Sequence, residues 1–279
     1  MRKLTLADVP EWLALVRSVE WDQTGFELEW LIANAPDRVL GVHEDGRLVA
    51  TAAAAVYDDG GSCVNMVIVD KPYRGRGHAG RLMRALIESL GAPRESITLQ
   101  ATSDGKPVYE KLGFLAEYGQ EKWSGKAALI ARDGGRDGIE PMDEAAFEEA
   151  AAYDARIMGL SRRNVLEGFW RNFPDLAFQA RRDGKLAGFV LGRQGFAYRH
   201  VCPLEADDGI TAAALFARAA AVRPDELALD IPDAQTGFKA MLAEKGFRAL
   251  RALVNMRLDA IGRPPDFSRY VVGCGGEFR

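Results

Sequence analysis

The sequence predicts an α/β protein built from two similar mixed-sheet units in tandem. Three observations carry this. Strand-like and helix-like hydrophobic patterns alternate along the chain. The segments LEWLIANAPDRVLGVHEDGRLVA (Leu28–Ala50) and LEGFWRNFPDLAFQARRDGKLAG (Leu166–Gly188) align without a gap at an offset of 138 residues and share Pro-Asp and Asp-Gly turn signals. Such an internal repeat marks a repeated structural unit. Between the copies lies ARDGGRDGIEP (Ala131–Pro141), rich in glycine and charge as an exposed linker is. The expected boundaries are residues 1–130, a linker at 131–138, a second unit at 139–260 and a tail at 261–279.

Taken in order, KLTLADVPEWLALV opens with a short strand. Asp8 then starts a helix, with Glu11 as its capping-box partner and Pro10 in the tolerated first turn. A second helix runs from Glu27 to Asn34 and stops at Pro36. Val39–His43 and Arg47–Tyr57 read as strands about an Asp45-Gly46 hairpin turn. The mainly apolar Val64–Val69 reads as a central strand buried on both faces. Gly80–Leu90 is helical, with Leu82, Met83, Leu86, Ile87 and Leu90 on one face. Ile97–Ala101 is a strand, and Lys106–Leu112 a short helix ended by Gly113. The second unit repeats this order; EKLGF (Glu110–Phe114) reappears as AEKGF (Ala243–Phe247).

With 279 residues, 48% hydrophobic and 27% charged, the chain has the balance of a soluble globular protein with a sizeable core. A net charge of −4 argues against a broad nucleic-acid surface. Cys63, Cys202 and Cys274 lie far apart and suggest neither a disulfide framework nor zinc. His43, His78 and His200 are isolated in the sequence and form no metal-ligand spacing, so no metal is expected. The start of the chain does not read as a signal peptide, and the longest apolar run, Val49–Tyr57, is too short to span a bilayer. A cytoplasmic protein without a membrane or nucleic-acid partner is expected, as a monomer or homodimer.

The stretch VIVDKPYRGRGHAGRLM (Val67–Met83) holds two overlapping patterns. Gly75–Gly80 spells G-x-G-x-x-G, the dinucleotide loop, but five residues separate Val69 from Gly75, and Gln100 stands where an acid would hold the ribose. A Walker loop is excluded, because no Gly-Lys-Ser/Thr follows. Arg74–Ala79 spells R-x-x-G-x-A. A strand delivers the chain to a turn set by Pro72, and two glycines open the backbone. A helix then begins at once, its free N–H groups and dipole suited to a pyrophosphate.

These residues resemble the coenzyme A motif of the GNAT N-acetyltransferase superfamily. ATSDGKPVYEKLGF (Ala101–Phe114), with its Tyr-Glu-Lys-x-Gly-Phe ending, is similar to the segment after the fifth strand of that fold. WDQT (Trp21–Thr24) and NMVIVD resemble a subgroup with a second, divergent GNAT unit. The motifs cover about residues 1–125. Over the second half the likeness rests on the repeat and on segments such as AGFVLGR and LALDIPD. Ala79 stands where many members have glycine, and Lys71 where an acid is more usual.

The resemblance implies tandem GNAT-like mixed-sheet domains, the second degenerate, with acetyl-CoA as co-substrate. It implies that Val67, Ile68 and Val69 offer backbone groups to the pantetheine arm. Arg74, Gly75, Arg76, Gly77, His78, Ala79 and Gly80 would surround the pyrophosphate. Tyr109 matches the general-acid tyrosine, and a backbone N–H at the splayed end of the Val64–Val69 strand would stabilise an oxyanion. Asp22, Asp58, Asp59 and Asp104 are all open as the base. Trp21 and Asp22 are candidates for holding a cationic amine, although Trp21 equally suits a loop anchor. In the second unit the loop becomes Glu205-Ala206-Asp207-Asp208-Gly209, whose acids would repel a pyrophosphate, and Leu242 replaces the tyrosine. One cofactor site per chain is expected. The reading is an acetyl-CoA-dependent N-acetyltransferase acting on a small-molecule primary amine; the rival is a coenzyme-A-binding sensor without turnover.

Overall fold

The computed structural model describes residues 1–91, 96–130, 138–260 and 262–278. The expected linker therefore lies almost wholly outside the described residues. The first half contains β1 (Arg2–Lys3), α1 (Val9–Ser18), α2 (Gly25–Asn34), β2 (Val39–Glu44), β3 (Arg47–Val56), β4 (Ser62–Val69), α3 (His78–Leu90), β5 (Ile97–Ala101), α4 (Lys106–Glu110) and β6 (Phe114–Lys126). The second contains β7 (Ile139–Pro141), α5 (Glu144–Met158), α6 (Arg163–Asn172), β8 (Phe178–Arg182), β9 (Lys185–Gln194), β10 (Arg199–Ala206), α7 (Gly209–Ala220), β11 (Glu226–Pro232), α8 (Thr236–Glu244), β12 (Arg248–Leu258) and β13 (Tyr270–Val272).

The repeat is structural. The pairs α2/α6 and β3/β9 begin and end at the same 138-residue offset. Both hairpins turn through Asp-Gly with left-handed backbone at each residue: φ is 51° and 77° at Asp45-Gly46, and 52° and 76° at Asp183-Gly184. One local expectation is corrected. The first capping box is Thr5 with Asp8, whose Oδ2 accepts the Thr5 N–H at 2.7 Å. Glu11 instead accepts the Leu48 N–H at 2.6 Å and ties α1 to β3.

The strand order is β1-β2-β3-β4-β5-β12-β6-β11-β10-β9-β8-β7, one continuous sheet, with β13 added beside β10. Each half gives its last long strand to the other. β12 pairs with β5 and β6, and β6 pairs with β11. Neither half has a complete sheet of its own. Beneath the sheet, α1, α2, α5 and α6 share one core, including Trp12, Leu28, Phe147, Phe169 and Phe278. At equivalent positions of the repeat stand Trp30 and Gly168, and a Cβ on Gly168 would meet the Trp30 indole at 2.6 Å. The pair can pack only because one member is small.

In each half one parallel pair splays. β4 meets β5 only from Ser62 to Val64, and β10 meets β11 only at Arg199 and His200. In the second half the opening is closed by the chain's own tail. β13 pairs Val272 with Leu204 and Tyr270 with Glu205, and Gly273 bridges to Asp230 of β11. In the first half the opening is a groove. Among the described residues, no helix is long and apolar enough to cross a membrane.

Candidate active site

The groove beside β4 has a volume of about 910 Å³. Its mouth is the loop between β4 and α3. Pro72 opens a single helical turn over Lys71–Tyr73, and Gly75 and Gly77 take left-handed backbone at φ 78° and 77°. An added Cβ at either glycine would meet nothing within 4 Å, so the glycines serve backbone conformation and leave the mouth open. α3 starts at His78, and its N-cap, Gly77, has no side chain to occupy the first N–H groups. An anion at this mouth would meet those donors and the helix dipole.

Nine of the ten expected cofactor residues line the groove: Val67, Ile68, Val69, Arg74, Gly75, Gly77, His78, Ala79 and Gly80. The side chain of Arg76 turns away. It donates to Glu44 at 2.9 Å and lies over the Tyr73 ring at 4.8 Å, because Glu44 on β2 offers it a carboxylate. His78 is buried, its Nε2 3.1 Å from the same carboxylate, so only its backbone reaches the mouth. Arg84 and Lys111 also line the groove, two cations that the loop pattern did not reveal.

At its inner end the groove meets a second cavity of about 240 Å³, and Tyr109 lines both. The Tyr109 ring packs edge-on against Phe114. Burial pushes its phenol up to about 12, so the hydroxyl keeps its proton through neutral pH. The second cavity belongs to both halves. Trp21, Asp22 and Gln23 come from the α1–α2 loop, Asn65 and Met66 from β4, and His200 from β10. Met66 has a left-handed backbone, φ 50°, and marks a bulge where the β3–β4 register shifts. The tail supplies Gly276 and Glu277, and the Asn65 Nδ2 donates to the Glu277 carbonyl at 2.7 Å.

The four acids considered as bases part company. Asp58 and Asp59 accept the N–H groups of Asn164 and Ser161 at 3.1 and 2.8 Å and cap the second half's α6 region. Asp104 lines the groove and Asp22 the cavity. Both Asp22 oxygens are engaged: Oδ1 accepts the Ala197 N–H at 2.6 Å, and Oδ2 lies 2.8 Å from His200 Nε2. Burial works against the Asp22 charge, but these two donors outweigh it and hold the carboxyl below its ordinary range. His200 was not singled out for the site because 178 residues separate it from Asp22 and no local pattern joins them.

Among the described residues, the second half has no comparable mouth. Asp208 is the N-cap of α7 and accepts the Thr211 N–H at 2.8 Å. Asp207 is held by Tyr153 and Arg269 at 2.9 Å each. Glu205 is not at the mouth as its place in the loop suggested; it is fully buried within β10, 3.5 Å from Arg162. Away from both cavities, Asp8, Glu11 and His43 bring ligand atoms within 4.8 Å of one another. Arg2 already donates to both Asp8 oxygens there, at 2.9 and 2.5 Å.

A family model described as "Acetyltransferase (GNAT) family" matches residues 6–114, and one described as "Acetyltransferase (GNAT) domain" matches residues 150–268. An uncharacterized N-acetyltransferase of Bacillus subtilis, YitH, is 29% identical over 184 residues; the match spans 66% of this chain and 65% of that relative's length. Among solved structures, a candidate acetyltransferase of Pyrococcus horikoshii superposes with a TM-score of 0.81 at 19% identity, covering 99% of this chain and 94% of that one. A GCN5-related N-acetyltransferase of Sphaerobacter thermophilus gives 0.66 at 18% identity, covering 95% and 97%. A tandem GNAT protein from the clavulanic acid biosynthesis pathway gives 0.62 at 15% identity, covering 91% and 96%. At these identities the likeness is one of fold.

Proposed function

Because the chain belongs to the GNAT acetyltransferase family, as a tandem of two such domains, we propose that it transfers an acetyl group from acetyl-CoA to the primary amine of a small molecule. The observation that carries this reading is the meeting of an open groove and a small shared cavity at Tyr109.

The groove fits the co-substrate. Its mouth combines an uncapped helix start, two open glycines and the cations Arg74 and Arg84, the donors a diphosphate needs. The β4 edge past Val64 lacks a parallel partner and leaves backbone groups for a pantetheine arm. Acetyl-CoA, when bound, supplies an acetyl group activated as a thioester. Tyr109 holds a proton on its phenolic oxygen where groove and cavity join, suited to a leaving sulfur. The walls from both halves and the tail limit bulk water, which protects against hydrolysis. A cavity of about 240 Å³ favours a small acceptor over a protein surface. The second half serves as the acceptor-side wall, with its own groove closed by β13.

Release of free thiol from acetyl-CoA in the presence of a panel of primary amines tests the reaction. No release with any amine, alongside retained cofactor binding, would favour the sensor. Gly77→Val tests the mouth. A β-branched residue at φ 77° is a backbone outlier worth about 1–2 kcal/mol. The expected result is acetyl-CoA binding at least about tenfold weaker by calorimetry. The wild type should bind one acetyl-CoA per chain.

A further inference from the structure

We propose that the acceptor nitrogen is deprotonated by a unit that spans the two halves of the chain: His200 takes the proton on Nδ1, and Asp22 positions its ring. The proposal rests on the acetyl-transfer reading above and deepens it. His200 lines the same cavity as Tyr109. Its Nε2 faces an Asp22 oxygen at 2.8 Å, and an ionised carboxylate can only accept. A neutral ring therefore carries its proton on Nε2 and its lone pair on Nδ1. Among the described residues no partner takes that lone pair.

The surroundings say when such a base can act. Asp22 is on the α1–α2 loop, Arg193 on β9, Lys122 on β6, Asp230 on β11 and Glu277 on the tail. Burial, then Arg193 and Lys122, hold the proton affinity of the ring well below that of a free imidazole, against the pull of Asp22. The ring is thus neutral at neutral pH. A base this weak does not strip a free ammonium ion. It does accept a proton from a nitrogen whose lone pair is entering a new C–N bond, because that N–H becomes strongly acidic. The acceptor must then react as the neutral amine. The step balances: the nitrogen lone pair forms the C–N bond while the carbonyl π pair moves to oxygen, the N–H electron pair stays on nitrogen as the proton moves to Nδ1, and the oxygen pair returns to carbon as the thiolate leaves. Asp22 offsets the imidazolium charge, and the proton returns to solvent. As the C–S bond breaks, Tyr109 gives its proton to sulfur and regains one from solvent.

His200→Gln is expected to lower kcat about a hundredfold or more near pH 7 with acetyl-CoA affinity unchanged. The deficit should narrow as the pH rises to about 9.5, because hydroxide replaces the missing base. Asp22→Asn should cost less, about tenfold, since the ring remains. In the wild type, nitrogen-15 spectra of the histidine ring should show Nε2 protonated and Nδ1 bare from about pH 8 to about pH 5, and Asp22→Asn should remove that preference. Wild-type kcat in His200→Gln, a deficit that does not change with pH, or a charged ring at neutral pH would each overturn the proposal while leaving acetyl transfer intact. Absence of transfer to any amine by the wild type would instead overturn the underlying reading, and the base with it. If His200→Gln does not fold, the ring spectra and Asp22→Asn decide.

Discussion

Tyr109→Phe is expected to lower kcat by about 10²–10⁴-fold, the range a positioned general acid contributes, while acetyl-CoA affinity stays within about twofold. The substitution removes only the hydroxyl. The ring keeps its place in the core cluster of the first half and its edge contact with Phe114, so the melting temperature should barely move. Because burial raises the phenol to about 12, Tyr109 is in its acid form throughout the neutral and mildly alkaline range. The wild-type rate should therefore show no alkaline loss due to this group below about pH 11. A phenylalanine variant with wild-type kcat would remove Tyr109 from the chemistry.

Arg193→Met is expected to destabilise the protein by about 3–5 kcal/mol, the cost of leaving partners of a broken buried ion pair uncompensated. Arg193 is 1% exposed and sits between Glu27 of α2 and Glu277 of the tail, whose Oε2 lies 3.3 Å away. Burial opposes the Arg193 charge, and the two carboxylates more than offset it. Glu27 is already pushed above its ordinary range by burial, with Arg193 the chief opposing influence. Without Arg193 the shift grows. A carboxyl whose folded pKa is raised stabilises the fold below its unfolded pKa, and that stability is lost as pH rises through the folded pKa. The deficit should accordingly be larger near pH 8 than near pH 5, as read from urea denaturation. Adding Glu27→Gln should restore part of it. A pH-independent loss would mean that packing of the side chain, and not its charge, is what matters.

The arginine matters beyond stability because Glu277 also pins Gln23, next to Asp22 on the loop that walls the second cavity. The tail forms a short strand at Tyr270–Val272 and then reaches the cleft. Its two places in the fold were not legible: closing the second half's opening with β13, and lining the second cavity with Gly276 and Glu277. Both depend on backbone pairings and buried charges among segments far apart in the chain, which leave no local pattern. The same holds for β6 and β12. Each reads as an ordinary strand, and nothing within it states that it will complete the other half's sheet.

What the amino-acid order alone determined was carried by short-range geometry. The repeat, the Asp-Gly hairpins, the Pro72–Gly80 mouth and the apolar face of α3 each follow from turn chemistry or hydrophobic period within a few residues. The position of Tyr109 was legible through a likeness of similarly short reach. Tertiary structure decided what needed two distant segments at once: how the second half's opening is closed, where Arg76 turns, and how Asp22 meets a histidine 178 residues away. A local pattern constrains only the dihedrals and neighbours it contains. Side-chain pairing across the sheet depends on strand order, which the exchange of β6 and β12 sets for this chain.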